Sequence, residues 1–267
     1  MNPDRLFAVV DREAWTVART RSFVAVGLGF AAVSIGLAWT GGAASYVTTT
    51  LDLLTPIEVL VPAVAIAFGY RSVLGDIDRG EIEMIRTYPL SRAEFVLGVY
   101  LGRAGALVLV VVVPLAVSGV LVALSGGPAT TVLASHAGAD SPWLFVRFVA
   151  LTVAFALVVL AVAVAISSIA RSVRAAIALG IAVLVALVVG LDLGIVISLS
   201  GGVDEWLLQW LLAVSPNSAY RGLVLETVVR PVTATGVRTA APIASVLGLT
   251  AWLVGTLVLA IRTVWTE

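Results

Sequence analysis

The sequence predicts an all-α integral membrane protein. It should have six transmembrane helices, an amphipathic N-terminal helix at the membrane interface, a short cytosolic helix between helices 2 and 3, and short outer helices between helices 5 and 6. Three observations predict this architecture. Of 267 residues, 60% are hydrophobic and 12% charged, about half the charged share of a soluble domain, and mean hydropathy is +1.10. Apolar runs long enough to cross ~30 Å of hydrocarbon, about 20 residues each at 1.5 Å per residue, recur along the whole chain. The remaining charge is clustered, with eight of 32 charged residues in the nineteen positions from Asp76 to Glu94. The chain, 1–267, reads as one membrane domain.

The N-terminal stretch 1–21 is too long and too acidic for the charged end of a signal peptide. Pro3 suits a first helical position, and Leu6, Phe7, Val10, Ala14 and Val17 fall near one face. That pattern predicts a helix lying along the inner surface of the lipid bilayer, with Trp15 at headgroup level. Spans follow at about 22–40, 57–74, 96–124, 143–168, 174–200 and 241–262. Arginines crowd the N-terminal segment (Arg5, Arg12, Arg19, Arg21) and the connection between spans two and three (Arg71, Arg79, Arg86, Arg92). Arg171 and Arg174 separate spans four and five, Arg262 ends span six, and the connections 40–56 and 125–143 have none. The positive-inside rule then puts both termini in the cytosol of a plasma-membrane protein.

Within the charged cluster, Gly80–Arg86 reads as a short helix with Ile82 and Ile85 on one face and Glu81 and Glu83 in its first turn, where the helix dipole favours carboxylates. Tyr88-Pro89 ends it. Ser91-Arg92-Ala93-Glu94 has the form of a capping box, flanked by Leu90 and Phe95 as a hydrophobic staple, so span three should start at a tight corner. A transverse helix with an apolar face is a surface that a soluble partner can fill.

On the outer side, residues 205–214 are apolar but too short to span, which suits a re-entrant or interfacial helix carrying Trp206 and Trp210. Residues 215–220 make a turn, with Asn217 or Ser218 as N-cap of a second short helix reaching about Val229. This segment reads equally as a lid over a substrate path and as a packing element at the membrane surface. Glu58 and Arg147 fall at outer ends of spans, where ionised groups are inexpensive. Asp192 lies ~26 Å along span five, near the outer headgroups. Pro62 and Pro114 interrupt spans two and three, and Gly98-x-x-x-Gly102 permits a close helix approach.

The composition excludes several chemistries. All 16 basic residues are arginine, so a Walker A loop and lysine chemistry are absent. With no cysteine, one histidine (His136) and two methionines, neither a disulfide framework nor a soft-ligand metal site can be built. Net charge is zero, which gives no footprint for nucleic acid. No carboxylate falls at depth in a span by this reading, which argues against a lone secondary transporter and against an intramembrane enzyme.

The runs Gly80-Glu81-Ile82-Glu83, Pro89-Leu90-Ser91-Arg92-Ala93-Glu94 and Gly98-Val99-Tyr100-Leu101-Gly102 resemble the E-x-G-[ST]-[LI]-E…P-[VIL]-S-R-x-E…L-G-K-x-L-G stretch of ABC-2 type transporter permeases. Among these, the similarity is greatest to the permeases of nitrous-oxide-reductase maturation systems. Ser215-Pro216-Asn217-Ser218-Ala219-Tyr220-Arg221 resembles their N-P-x-D-A-[FY]-R stretch. Val99 departs from a common lysine, and Ser218 from an acidic residue.

The resemblance implies the permease subunit of an ATP-driven exporter, a homodimer. Each copy would dock a separate ATP-binding subunit that holds the ATP and Mg, this chain itself binding no cofactor and hydrolysing nothing. It also implies that Gly80, Glu81, Ile82, Glu83, Ile85 and Arg86 form the coupling helix and that Pro89, Ser91, Arg92 and Glu94 form its corner. Trp206, Trp210, Pro216, Asn217, Tyr220 and Arg221 are then candidates for an outer gate. A secondary transporter and a non-transporting membrane anchor for an ATPase are the alternatives.

Overall fold

A computed structural model describes residues 3–42, 45–81, 90–125, 140–190, 210, 212–233 and 241–265. Its elements, in order, are α1 (Pro3–Arg19), α2 (Arg21–Thr40), α3 (Tyr46–Gly69), α4 (Leu74–Asp78), α5 (Arg92–Ser125), α6 (Pro142–Ile169) and α7 (Val173–Val185). α7 continues as a π turn, Ala186–Gly190. Then come α8 (Pro216–Val224), a second π turn (Leu225–Val229), α9 (Arg230–Thr233) and α10 (Pro242–Thr263). No strand occurs among the described residues.

Serine chemistry starts five of these helices, α5 through Ser91, described below, and four others. The hydroxyls of Ser45, Ser141, Ser172 and Ser215 accept from the backbone N–H groups of Thr48, Trp143, Ala175 and Ser218, each satisfying a donor that the first helical turn leaves without a partner. Pro142 and Pro216 follow two of the caps, where the fixed φ suits helix entry and the missing N–H costs nothing.

Among the described residues, five helices are long and apolar enough to cross a membrane: α2, α3 (with α4), α5, α6 and α10. Of expected span five, 174–200, the described part is α7 and its π turn, a shorter apolar helix, and the rest, with Asp192, lies outside the described residues, as do 201–209 and His136.

α6 is the central element. Every residue from Val158 to Ser168 is buried, and α3 packs along it so closely that a Cβ on Gly69 would collide with Ala163. α3 and α6 start side by side, because the Asp140 carboxylate accepts from the N–H of Tyr46 (3.0 Å) and of Val47 (3.1 Å) one residue before the Ser141 cap. An anion there suits the positive end of α3. The two helices therefore run parallel from one face of the domain.

The second span starts eleven residues earlier than its apolar run suggests, at Tyr46 in place of 57. The TTTLDLLTPIEV stretch looks like a polar connection, yet the Ser45 cap, the Thr50 hydroxyl bonded to Tyr46 O (2.8 Å) and burial of Thr49 and Thr50 hold it as helix. The same span ends sooner, at Gly69. A turn at 70–73 is pinned where the Ser167 hydroxyl accepts from the Val73 and Leu74 N–H groups. Pro56 and Pro62 lie inside α3, and Pro114 inside α5.

Candidate functional site

The charged stretch after α4 is one end of a network centred on α1. α1 lies along the start of α5, where two glycines bring the backbones together: a Cβ on Gly98 would sit 2.6 Å from Val9 Cβ, and one on Gly102 would sit 2.6 Å from Glu13 Cβ. The G-x-x-x-G spacing thus has α1 as its partner. Val9, Glu13 and Val17 form the buried face of α1, whereas Phe7 and Ala14, expected on the apolar face, point outward. Trp15 is also exposed, with the Arg19 guanidinium 4.9 Å from its ring centre.

Glu13 is buried because its charge is matched. Arg103 Nε donates to Glu13 Oε2 at 2.9 Å, and Arg103 Nη1 donates to the Phe68 carbonyl at the end of α3. The next residue, Arg12, donates to buried Asp76 in α4 at 2.7 Å and lies 3.7 Å from Glu81. Arg79 spans Asp76 (2.6 Å) and Glu81 (2.8 Å).

For Arg12, partial burial works against the charge but the Asp76 carboxylate outweighs it, and its pKa is raised above the usual arginine value. That of Arg79 is raised chiefly by its hydrogen bond to Glu81. The guanidiniums stay charged and hold α1, α4 and α5 together.

Of the residues expected to meet an ATPase, Gly80 adopts φ +69°, a left-handed conformation that glycine takes without strain, and turns the chain after α4. Glu81 joins the network just described. The Ser91 N–H donates to Glu94 Oε2 (2.9 Å) and the Glu94 N–H donates to Ser91 Oγ (3.2 Å), a complete capping box. Arg92 reaches the end of α10, where it donates to Arg262 O (3.5 Å) and stands 5.7 Å from the Trp265 ring centre. Ile82, Glu83, Ile85, Arg86 and Pro89, and with them the body of the expected coupling helix, lie outside the described residues, as does Trp206.

On the opposite side the structure corrects three expectations. The N-cap of the second short helix is Ser215, not Asn217 or Ser218, since Pro216 must take a first-turn position. Glu58 is not at the outer end of a span. It lies ~18 Å along α3 from Tyr46, is buried, and accepts a bidentate fork from Arg221, with Nε–Oε1 at 2.7 Å. A buried carboxylate therefore does stand at depth in a span, contrary to the expectation that none would.

Arg221 belongs to α8 together with Pro216, Asn217 and Tyr220. Pro216, Asn217 and Tyr220 are buried, in a seat among α3, α6 and α10. The Tyr220 hydroxyl shares a 2.8 Å hydrogen bond with Thr152, ~15 Å along α6 from Pro142, and its ring stacks on Phe155 at 4.7 Å and 6°. Arg147 Nη1 donates to Thr227 O at 2.6 Å. Trp210 is exposed and lines an apolar groove of about 380 Å³ against the start of α10, with Trp252 donating to Val214 O at 2.8 Å.

Sequence reading missed Arg12, Glu13, Arg103, Asp140 and Thr152. A pattern search along a helix face could have flagged only Glu13, a charge at the centre of an apolar stripe.

The fold and its two sets of ion pairs define a multi-pass helical membrane domain. The model of the ABC-2 family transporter proteins matches residues 9–265, and the chain belongs to that family. It is similar to the probable ABC transporter permease protein NosY of Pseudomonas aeruginosa, 33% identical over 104 residues (33% of this chain, 38% of the relative). It is also similar to the NosY of Stutzerimonas stutzeri, 29% identical over 127 residues (42% and 46%). The matched stretches thus span less than half of either curated relative.

Proposed function

We propose that this chain is the membrane-spanning permease subunit of an ATP-binding-cassette exporter in the plasma membrane. It works as a homodimer with both termini cytosolic, and a separate ATPase subunit holding ATP and Mg drives it. The observation that carries the reading is the inner corner. The chain entering and leaving 80–94 is tied to α1, α3, α5 and α10 through Asp76, Glu81, Arg103, the Ser91–Glu94 box and Arg92. A push by a soluble partner on Gly80–Arg86 would act on flanking chain that is tied to α1, α3, α5 and α10. Pro89, Ser91, Arg92 and Glu94 set the angle of the corner, while Trp206, Trp210, Pro216, Asn217, Tyr220 and Arg221 form the outer gate.

The test is purification from detergent of the chain co-expressed with its neighbouring genes. An ATP-binding subunit should accompany it, and Ile85→Asp should remove that subunit and its stimulated ATPase activity while leaving the monodisperse membrane domain intact. Full stimulation in Ile85→Asp overturns the coupling role.

The buried Glu58 carboxylate, paired with a half-exposed Arg221, favours a second reading, a secondary transporter that uses an intramembrane carboxylate. Uptake into vesicles that follows a proton gradient and needs no nucleotide would select it.

A further inference from the structure

We propose that the Glu58–Arg221 pair is a releasable latch that holds α8 in its seat, and that α3 carries the release. This rests on the permease reading and deepens it by assigning the moving part of the outer gate. α8 is held by two kinds of contact. One is apolar, through Ala219, Leu223 and Val224, all buried. The other is a set of polar links to two neighbours: Arg221 to Glu58 on α3, Tyr220 to Thr152 on α6 and, from the π turn that follows α8, Thr227 O to Arg147 on α6. Polar links inside an apolar bundle are directional, so a shift of about an ångström breaks them, whereas apolar contacts slide. Directly after α8 the backbone passes through the π turn Leu225–Val229, a widened turn that accommodates a change of helix register more readily than an α turn.

Release can reach the pair because α3 is one continuous helix between two fastened ends. Glu58 sits near its middle, and its last turn is bonded to Arg103 through Phe68 O. Beyond the turn that follows, Asp76 is bonded to Arg12 and Arg79. Displacing α4 and the corner along the axis of α3, once the Ser167 bonds to Val73 and Leu74 give, moves Glu58 relative to α6, to which Tyr220 and the Thr227 carbonyl are bonded. The fork is bidentate and therefore the least tolerant of such a slip.

The chain has no cysteine, so one introduced thiol reports without background. Ala219→Cys places it on the buried face of α8. The complex is assayed in membrane vesicles with a membrane-impermeant maleimide applied to the face on which α3 begins. Labelling without nucleotide should be slow. It should rise on the order of tenfold, the change that accompanies about 1.4 kcal/mol, in the double variant Glu58→Gln/Arg221→Gln, which leaves no unpaired buried charge. An unchanged rate in a double variant that assembles normally overturns the latch, and failure of the double variant to assemble also overturns it by making the pair a requirement of folding. The permease reading fails separately: if ATP alters labelling in neither background while the double variant labels fast, the latch stands and coupling to an ATPase falls.

Discussion

Replacing Gly102 by alanine sets two physical effects against each other on a single helix. Helix propensity alone favours alanine over glycine by up to ~1 kcal/mol at an interior position. At Gly105, where an added Cβ meets nothing within 4 Å, that is the whole effect, and Gly105→Ala should stabilise the protein. At Gly102 the added Cβ would stand 2.6 Å from Glu13 Cβ and 2.7 Å from the Val10 carbonyl oxygen. The carbon–carbon optimum is ~3.5 Å, so α1 must retreat by roughly 0.9 Å.

Neither obstacle is a flexible side-chain end. The retreat stretches the 2.9 Å bond from Arg103 to Glu13 beyond hydrogen-bonding range, and both groups are buried. Overpacking costs about 1–3 kcal/mol, with the strained ion pair pushing toward the upper end. The two alanine variants should therefore differ by about 2–4 kcal/mol, in opposite directions from the natural sequence. The assay is thermal unfolding in detergent followed by size exclusion, with a shift of roughly 2–4 °C per kcal/mol expected for a chain of this size. Equal melting of the two variants, or stabilisation by Gly102→Ala, would refute the seating of α1 on α5.

Asp76→Asn should loosen α1 by about 1–2 kcal/mol, the low part of the range for charge-assisted bonds because Arg12 and Arg79 are partly exposed; faster tryptic cleavage at Arg12 and Arg19 would show it, and an unchanged rate would exclude it. Ser91→Ala removes one half of the capping box and should cost about 1 kcal/mol, read as faster amide exchange at 92–95 with 110–120 unaffected. Thr152→Val should be worse than Tyr220→Phe. The first strands the fully buried Tyr220 hydroxyl at ~1–3 kcal/mol, whereas after the second Thr152 still donates to Phe148 O. The reverse order of melting temperatures would count against that hydrogen bond.

The parts of the fold that were legible in the sequence are those set by near neighbours. Ser91 and Glu94 are three residues apart, and their box could be read from spacing because both partners lie on the same turn. The helices α2 and α10 begin and end within a residue of the apolar stretches 22–40 and 241–262. Glu58 was misplaced for the opposite reason. Its partner is 163 residues away, and hydropathy counts an ionisable side chain as a polar boundary whether or not an arginine awaits it. The early start of α3 was hidden in the same way, because Asp140, which anchors its first two amides, is 93 and 94 residues distant. The inner network escaped notice because α1 looked complete as a surface helix. Only α5, with Gly98 and Gly102 in register, turns its central stripe inward.

The unequal lengths of α2 and α5 have a consequence for the bilayer itself. α2, at 20 residues, is ~30 Å long and matches the hydrocarbon thickness with nothing to spare, and only Thr20 separates it from α1. α5, at 34 residues, is ~51 Å long, and its first turns carry α1. α1 is thus a shelf joined to a helix that cannot lengthen and fastened to a rod that is longer by fourteen residues. A thicker membrane must pull α2 and the shelf one way while α5 absorbs the mismatch by tilting less. Acyl-chain length becomes a mechanical input to the charged corner, and bilayers of short and long lipids should tune this protein as a load tunes a lever.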